Sequence, residues 1–386
     1  MRAILEGMVL LLCTVVMIGL VGEIIIRSIP KVNDSTMRVG RIKYRFNPYL
    51  SDGRLGYKLR PNWETVHANI DFQVTVRTNN LELRGEDVSE KKSADVLRIL
   101  VLGDSFTFGY GVENEEAFPA LLEVLLSNRL NRRVEVLNSG VPGWSTAQYW
   151  IFLRERGFLL DPDLILMAIM ENDLADLGLN QYIFDDELLP ISIESTRIMI
   201  DHGGRMHFVN ESNLDLPKLS FPGKQWISNH LQLYHWLRYR ITRLWLAYAE
   251  SAADKAIEKE ADVAPDGPIK FLSPEELQRG LKTGKEFQLR YHRYIIAAVE
   301  RECAERNIPV EYILVSNKGS NPKNGTPLHE LHDDCSALGQ RCLDSTNLFS
   351  PEIASNSFFK HDPHWNTTGH KQVAETLTTR LEILLR

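Results

Sequence analysis

From residue 97 onward the apolar positions alternate between short continuous runs and spaced stripes. Arg98–Leu102 carries Ile, Leu and Val without interruption and stops at Gly103, which predicts a strand buried on both faces. Leu164–Ile169 repeats that signature, and Val134–Leu137 and Val310–Val315 repeat it with one glutamate each, Glu135 and Glu311. Between the first two runs, Phe118, Leu121, Leu122 and Leu125 recur at three- and four-residue intervals. That spacing predicts a helix over about Ala117–Leu130 with one face laid on a sheet. Further helices are expected over Thr146–Arg156, from Ser273 to about Arg306, and over Asn366–Leu385; the second opens on the capping-box pattern Ser273-Pro274-Glu275-Glu276. Strands that alternate with helices in this way imply βαβ units, hence an α/β fold around a central parallel sheet.

Three stretches break the rhythm. No residue from Gly7 to Gly22 is charged, and Ile24–Ile26 extends the apolar run past Glu23. Residues 1–30 are therefore expected to be a membrane anchor or signal segment, an uncleaved signal anchor being preferred because no small-x-small cleavage site follows. Arg27, Lys31, Arg38, Arg41, Lys43 and Arg45 lie after this segment and only Arg2 before it, which opposes export by the positive-inside rule; long domains translocate despite such charges. Residues 31–95 form a polar tether and a β-rich lead-in, in which Phe72–Val76 alternates as a half-buried strand does. Residues 96–386 form the main domain, interrupted at about 176–274 by an insertion whose aromatic part, Trp226–Tyr248, fits an amphipathic helix packed on that domain; a carbohydrate platform or membrane-facing helix is the other reading. Asn317–Ser357 is polar and loop-like, with Cys335 and Cys342 close enough for a disulfide in an oxidising compartment, or for two free thiols.

Composition narrows the functions. A chain of 386 residues can bury a large core, and a net charge of -7 with no dominant basic stripe argues against nucleic acid as a partner. Gly103 to Gly111 lacks the G-x-G-x-x-G spacing of a dinucleotide loop, and His361, His364 and His370 form no compact metal-ligand motif, so no cofactor or metal is expected.

The chemistry gathers at strand ends. Ser105 follows the first strand of the main domain, Asn138-Ser139-Gly140 ends the second and Glu171-Asn172-Asp173 the third. If all three run parallel, Ser105, Gly140 and Asn172 meet on the rim where open α/β sheets bind ligands. A hydroxyl beside an unshielded backbone N–H and a side-chain amide donor suits acyl transfer, whose tetrahedral intermediate needs preorganised donors for its oxyanion. His361-Asp362-Pro363-His364 supplies the missing base: His364 takes the serine proton while Asp362, two residues earlier, fixes its tautomer.

These residues, in this order, resemble the SGNH (GDSL-type) hydrolases, through Gly103-Asp104-Ser105, Gly140, Asn172-Asp173 and Asp362-Pro363-His364. The resemblance implies a flavodoxin-like three-layer α/β/α sandwich. It also implies Ser105 as nucleophile, and an oxyanion hole made of the Ser105 and Gly140 N–H groups and the Asn172 amide. Two positions depart from the family pattern: Met170 stands where Gly is usual two residues before Asn172, and His361 stands where the Asp is usual, three before His364. Asn138–Gln148, the shorter Asp-x-His spacing and Gly369-His370 are similar to membrane-anchored bacterial members linked to polysaccharide O-acetylation. The expected function is a serine esterase or O-acyltransferase for acetyl esters of a carbohydrate, membrane-anchored with an extracytoplasmic domain. A non-catalytic polysaccharide-binding or assembly subunit, and a lipase acting on phospholipid, are the alternatives.

Overall fold

The computed structural model describes residues 46–69, 71–196, 265–315, 326–349 and 356–386, with shorter pieces within 14–25, 198–208 and 317–318 and at 353. The aromatic stretch 226–248 and most of the apolar segment 1–30 lie outside the described residues; among those described, no helix is long and apolar enough to cross a membrane.

The lead-in supplies β1 (Tyr49–Asp52), β2 (Gly56–Leu59), β3 (Trp63–Ala68) and β4 (Gln73–Thr78), paired as β1 with β2 and β3 with β4. The alternating part follows: β5 (Leu97–Leu102), the single turn α1 (Ser105–Phe108), α2 (Phe118–Leu130), β6 (Val134–Asn138), α3 (Thr146–Glu155), β7 (Leu164–Met170) and α4 (Glu171–Leu177). An antiparallel hairpin, β8 (Asn180–Phe184) and β9 (Pro190–Thr196), precedes the short pair β10 (Ile198–Ile200) and β11 (Met206–Phe208). Then come α5 (Pro274–Thr283), α6 (Lys285–Glu305), β12 (Val310–Val315), α7 (Pro327–Leu338), β13 (Cys342–Asp344) and α8 (Thr367–Leu385).

Five strands form one parallel sheet in the order β6-β5-β7-β12-β13. In chain order that is 2-1-3-4-5, the flavodoxin-like arrangement, whose reversal point lies at the carboxyl ends of the first and third strands. The two-residue period of each strand divides the core. Ile99, Val101, Leu164, Leu166 and Ile313 face α2 and α8 through Phe118, Leu122, Leu126, Val373 and Leu377. Leu100, Leu102, Ile165, Met167 and Leu314 face the opposite layer through Ala147, Ile151, Tyr291, Ile295 and Val299 of α3 and α6. Every residue of β5, β6, β7 and β12 is buried, as strands covered by helices on both faces must be.

The lead-in is stitched to this body by specific bonds. Tyr57 Oη donates to Pro142 O at 2.9 Å, and Trp144 Nε1 donates back to Tyr57 O at 3.1 Å. Buried Arg84 donates to the carbonyls of Phe108, Gly109 and Val112 and to Asn114 Oδ1, tying the lead-in to the end of α1 and the loop that follows it.

Three local expectations need correction. The helix expected from Ser273 to about Arg306 is two helices, broken at Gly284, whose φ of 154° is a conformation L side chains rarely adopt. Apolar spacing continues through the break, so periodicity alone hides it. The stretch 317–357 is not simply loop: it contains α7, capped by the Thr326 hydroxyl and started by Pro327, and β13, which extends the sheet. Finally, the lead-in strand expected at Phe72–Val76 begins at Gln73; the Phe72 ring packs instead against Tyr110 and Phe359. Cys335 and Cys342 form a disulfide that ties α7 to β13.

Candidate active site

β5 ends at the reversal point of the sheet, and the chain turns there into α1, which begins at Ser105. Asp104 caps the turn by accepting the Phe106 N–H at 3.0 Å, and Gly109 closes it at φ 80°. Space forces two glycines here. A Cβ on Gly103 would meet Thr107 Oγ1 at 2.0 Å, and one on Gly140 would meet the Phe108 backbone nitrogen at 2.3 Å. Gly140, just past β6, therefore lets the second strand end press directly on the serine turn.

His364 arrives from the far end of the chain, on the segment entering α8. Its Nε2 lies 2.7 Å from Ser105 Oγ and its Nδ1 lies 2.6 Å from Asp362 Oδ1. The same carboxylate oxygen accepts the His364 backbone N–H at 3.1 Å, so the two-residue spacing closes a small ring that orients the imidazole. The ring is sandwiched by aromatics, stacked on Tyr110 at 4.5 Å between centroids and tilted on Phe106 at 4.7 Å. Burial pushes the Asp362 carboxyl upward, but the hydrogen bond and charge of His364 outweigh it and hold the group below its ordinary value. Asp362 is thus an anion aimed at the nitrogen remote from the serine, leaving Nε2 as acceptor for the serine proton.

The other two histidines of the segment do different work. His361 stands where the family pattern has its Asp, and Asp71 of the lead-in grips it, accepting the backbone N–H at 2.8 Å and lying 2.7 Å from Nδ1. His370, inside α8, accepts the Phe118 N–H on Nδ1 at 3.2 Å; burial pushes its pKa down to about 3. The three rings serve a reacting pair, a loop anchor and a helix start, and among the described residues no cluster could hold a metal ion.

The remaining expected donors lie at the same strand ends and are engaged within the protein. The Gly140 N–H donates to Asn138 Oδ1 at 3.0 Å. The Asn172 amide, in the first turn of α4, donates to Asp176 Oδ2 at 3.0 Å and to Asp104 Oδ2 at 3.3 Å. Asp104 Oδ2 also lies 3.3 Å from Ser105 Oγ, so serine and amide converge on one carboxylate oxygen. Met170, the departure from the family's glycine, is buried; its N–H donates to Asp173 Oδ2 at 3.1 Å. Glu171 points away toward Lys285, 3.6 Å distant.

Sequence reasoning missed the carboxylates beneath this rim. Asp104 and Asp173 are buried and Asp176 is half-buried; burial raises the pKa of all three, and the charge of Asp104 raises Asp173 and Asp176 further. Burial, then the charge of Asp104, pushes Asp176 up to about 7. A signal for Asp176 was present: it stands four residues after Asn172, the spacing that puts two side chains on one helix face.

Comparison with known proteins followed the same residues. The model of the family described as GDSL-like lipase/acylhydrolase matches residues 99–377. No curated protein matches the chain. Among solved structures, a lipolytic protein of the G-D-S-L family from Desulfitobacterium hafniense is 13% identical, covering 73% of this chain and 98% of its own, with a TM-score of 0.36. A GDSL-like lipase from Bacteroides thetaiotaomicron is 10% identical over 77% of this chain and 93% of its own, with a TM-score of 0.36. An acetyl xylan esterase is 11% identical over 73% and 98%, also at 0.36.

Proposed function

The chain belongs to the GDSL-like lipase/acylhydrolase family and is an ester hydrolase; from that premise we propose that it is a serine-dependent esterase or O-acyltransferase for acetyl esters of a carbohydrate, with Ser105, His364 and Asp362 as its catalytic residues. The observation that carries this reading is the continuous path from Ser105 Oγ to His364 Nε2 at 2.7 Å and from His364 Nδ1 to Asp362 at 2.6 Å.

In this reading Ser105 Oγ attacks the ester carbonyl carbon as its proton passes to Nε2. The oxyanion is met by the N–H groups of Ser105 and Gly140 and by the Asn172 amide, whose contacts with Asn138 and Asp104 are exchanged for the new charge. Collapse breaks the bond to the alkoxide, which leaves with the proton from His364. Water or a sugar hydroxyl, deprotonated by Nε2, then attacks acyl-Ser105 and releases the acid or the new ester. The sequence likeness to polysaccharide O-acetylation proteins supports carbohydrate as the acceptor class. The Cys335–Cys342 disulfide supports an extracytoplasmic domain behind an N-terminal anchor.

The test uses the full chain in detergent with 4-nitrophenyl acetate and an acetylated xylan. Release of 4-nitrophenol and acetate by wild-type protein, with loss of about 10³-fold or more in Ser105→Ala and His364→Ala, is the expected result. Equal turnover by wild-type and Ser105→Ala protein sinks the assignment.

A further inference from the structure

Asn172 holds its amide by one end only. Both described bonds of the side chain run from Nδ2, to Asp176 at 3.0 Å and to Asp104 at 3.3 Å, while Oδ1 is buried with no hydrogen-bond partner among the described residues. An amide nitrogen has two hydrogens, so each carboxylate takes one. The Asp104-facing hydrogen lies on the serine side, because Asp104 Oδ2 is also 3.3 Å from Ser105 Oγ. Asp176 holds the other hydrogen from the far side, one helical turn along α4.

We infer that Asp176 is a positioning residue for the reaction: it grips one Asn172 hydrogen so that the second stays aimed at the oxyanion forming on Ser105. The inference rests on the esterase reading above. The geometry gives this half-buried carboxylate the Asn172 amide as its hydrogen-bond partner. Asp104, Asp173, Tyr57, Tyr149 and Tyr182 surround Asp176 electrostatically, and none is a cation that would repay its burial. Without Asp176 only the longer bond to Asp104, the one exchanged for the oxyanion, would hold the amide against turning about its last side-chain torsion, a broad and soft one. Asp176 does not touch the reacting atoms; its effect passes through Asn172.

A double-mutant cycle on kcat tests this in the full chain. Asn172→Ala is expected to cost about 10²–10³ in kcat, the usual loss for one oxyanion donor. Asp176→Ala should lower kcat about 10- to 100-fold with KM within threefold, and the double variant should be no slower than Asn172→Ala alone. Asp176→Asn keeps an acceptor of the same shape and should restore kcat to within about fivefold of wild type. Losses that multiply in the double variant, or Asp176→Ala at wild-type kcat while Ser105→Ala is dead, overturn the inference and leave the esterase reading standing. A wild-type chain that hydrolyses no ester overturns both. Because Asp176→Ala protein could be lost to misfolding, the wild-type Asn172 side-chain amide is also followed by NMR, assigned by its absence in Asn172→Ala. The resonance of the hydrogen bonded to Asp176 should move upfield in Asp176→Asn, whose neutral acceptor is weaker; a resonance unchanged by that substitution overturns the inference.

Discussion

Asp71 and His361 are 290 positions apart in the chain and joined twice, through the His361 backbone N–H and its ring nitrogen. The Asp71 side chain is 6% exposed while the His361 ring is 47% exposed, so the clasp is anchored from the lead-in side. It fixes the lead-in against the segment that carries Asp362 and His364. Asp71→Ala should lower kcat/KM for 4-nitrophenyl acetate about 10- to 100-fold, the cost of a misplaced reacting group. Asp71→Asn, which keeps one acceptor for the backbone N–H, should lose less.

In the proposed mechanism Asp362 orients the base without taking the proton. Asp362→Asn preserves the shape but offers a donor as well as an acceptor to Nδ1, which favours the tautomer with its proton on Nε2. The expected loss is on the order of 10³–10⁴ in kcat with little change in KM, checked by steady-state kinetics. A loss under tenfold would assign the orienting role elsewhere.

Gly140→Ala places a methyl group 2.3 Å from the Phe108 nitrogen, which is backbone and cannot swing aside. The variant should lose about 1–3 kcal/mol in urea unfolding and most of its esterase activity, because relief of the clash displaces the Ser105 turn.

Arg84 brings a buried cation to three carbonyls beside that turn, and burial pushes its own pKa down to about 9. Arg84→Met keeps much of the stem and strands the carbonyls. Destabilisation of about 3 kcal/mol or more is expected in chemical unfolding, with kcat falling as the turn loosens.

Acid should weaken the fold above the range in which ordinary carboxylates titrate. Burial holds His370 and His292 neutral in the folded chain, each with a pKa pushed down to about 3, against 6.5 in the unfolded chain. Between those values the unfolded state binds more protons, so this contribution is complete above about 6.5 and is lost as pH falls toward 3. Each ring accounts for about 2 kcal/mol at pH 5 relative to pH 7. Unfolding free energies at the two pH values test this, and His370→Gln should flatten the dependence by about one proton.

The sequence was legible where a pattern is local. Runs rich in Val, Ile and Leu marked β5, β6, β7 and β12 although Arg98, Glu135 and Glu311 enter three of them, since a strand buried on both faces carries apolar residues at both parities. Ser105, Asp362 and His364 stood out because each lies in a short motif. The break at Gly284 was hidden because its cause is one backbone torsion, and β13 because three residues carry too little periodicity. Asp71 and Arg84 were invisible for another reason: each acts through partners that only the fold brings near, 290 residues away in one case and beside the serine turn in the other.

Ser105 and His364 are 259 residues apart, and that separation sets an order of events during synthesis. A ribosome that has finished β5 through α4 has made the serine turn and both of its expected oxyanion neighbours, yet the nascent chain holds no base for it. The base enters only after β13, and α8, whose packing on α2 holds the segment in place, is made after the base. On the proposed assignment, a nascent chain that stops short of His364 carries a serine without its base, and hydrolysis begins only once the segment through α8 has emerged and folded.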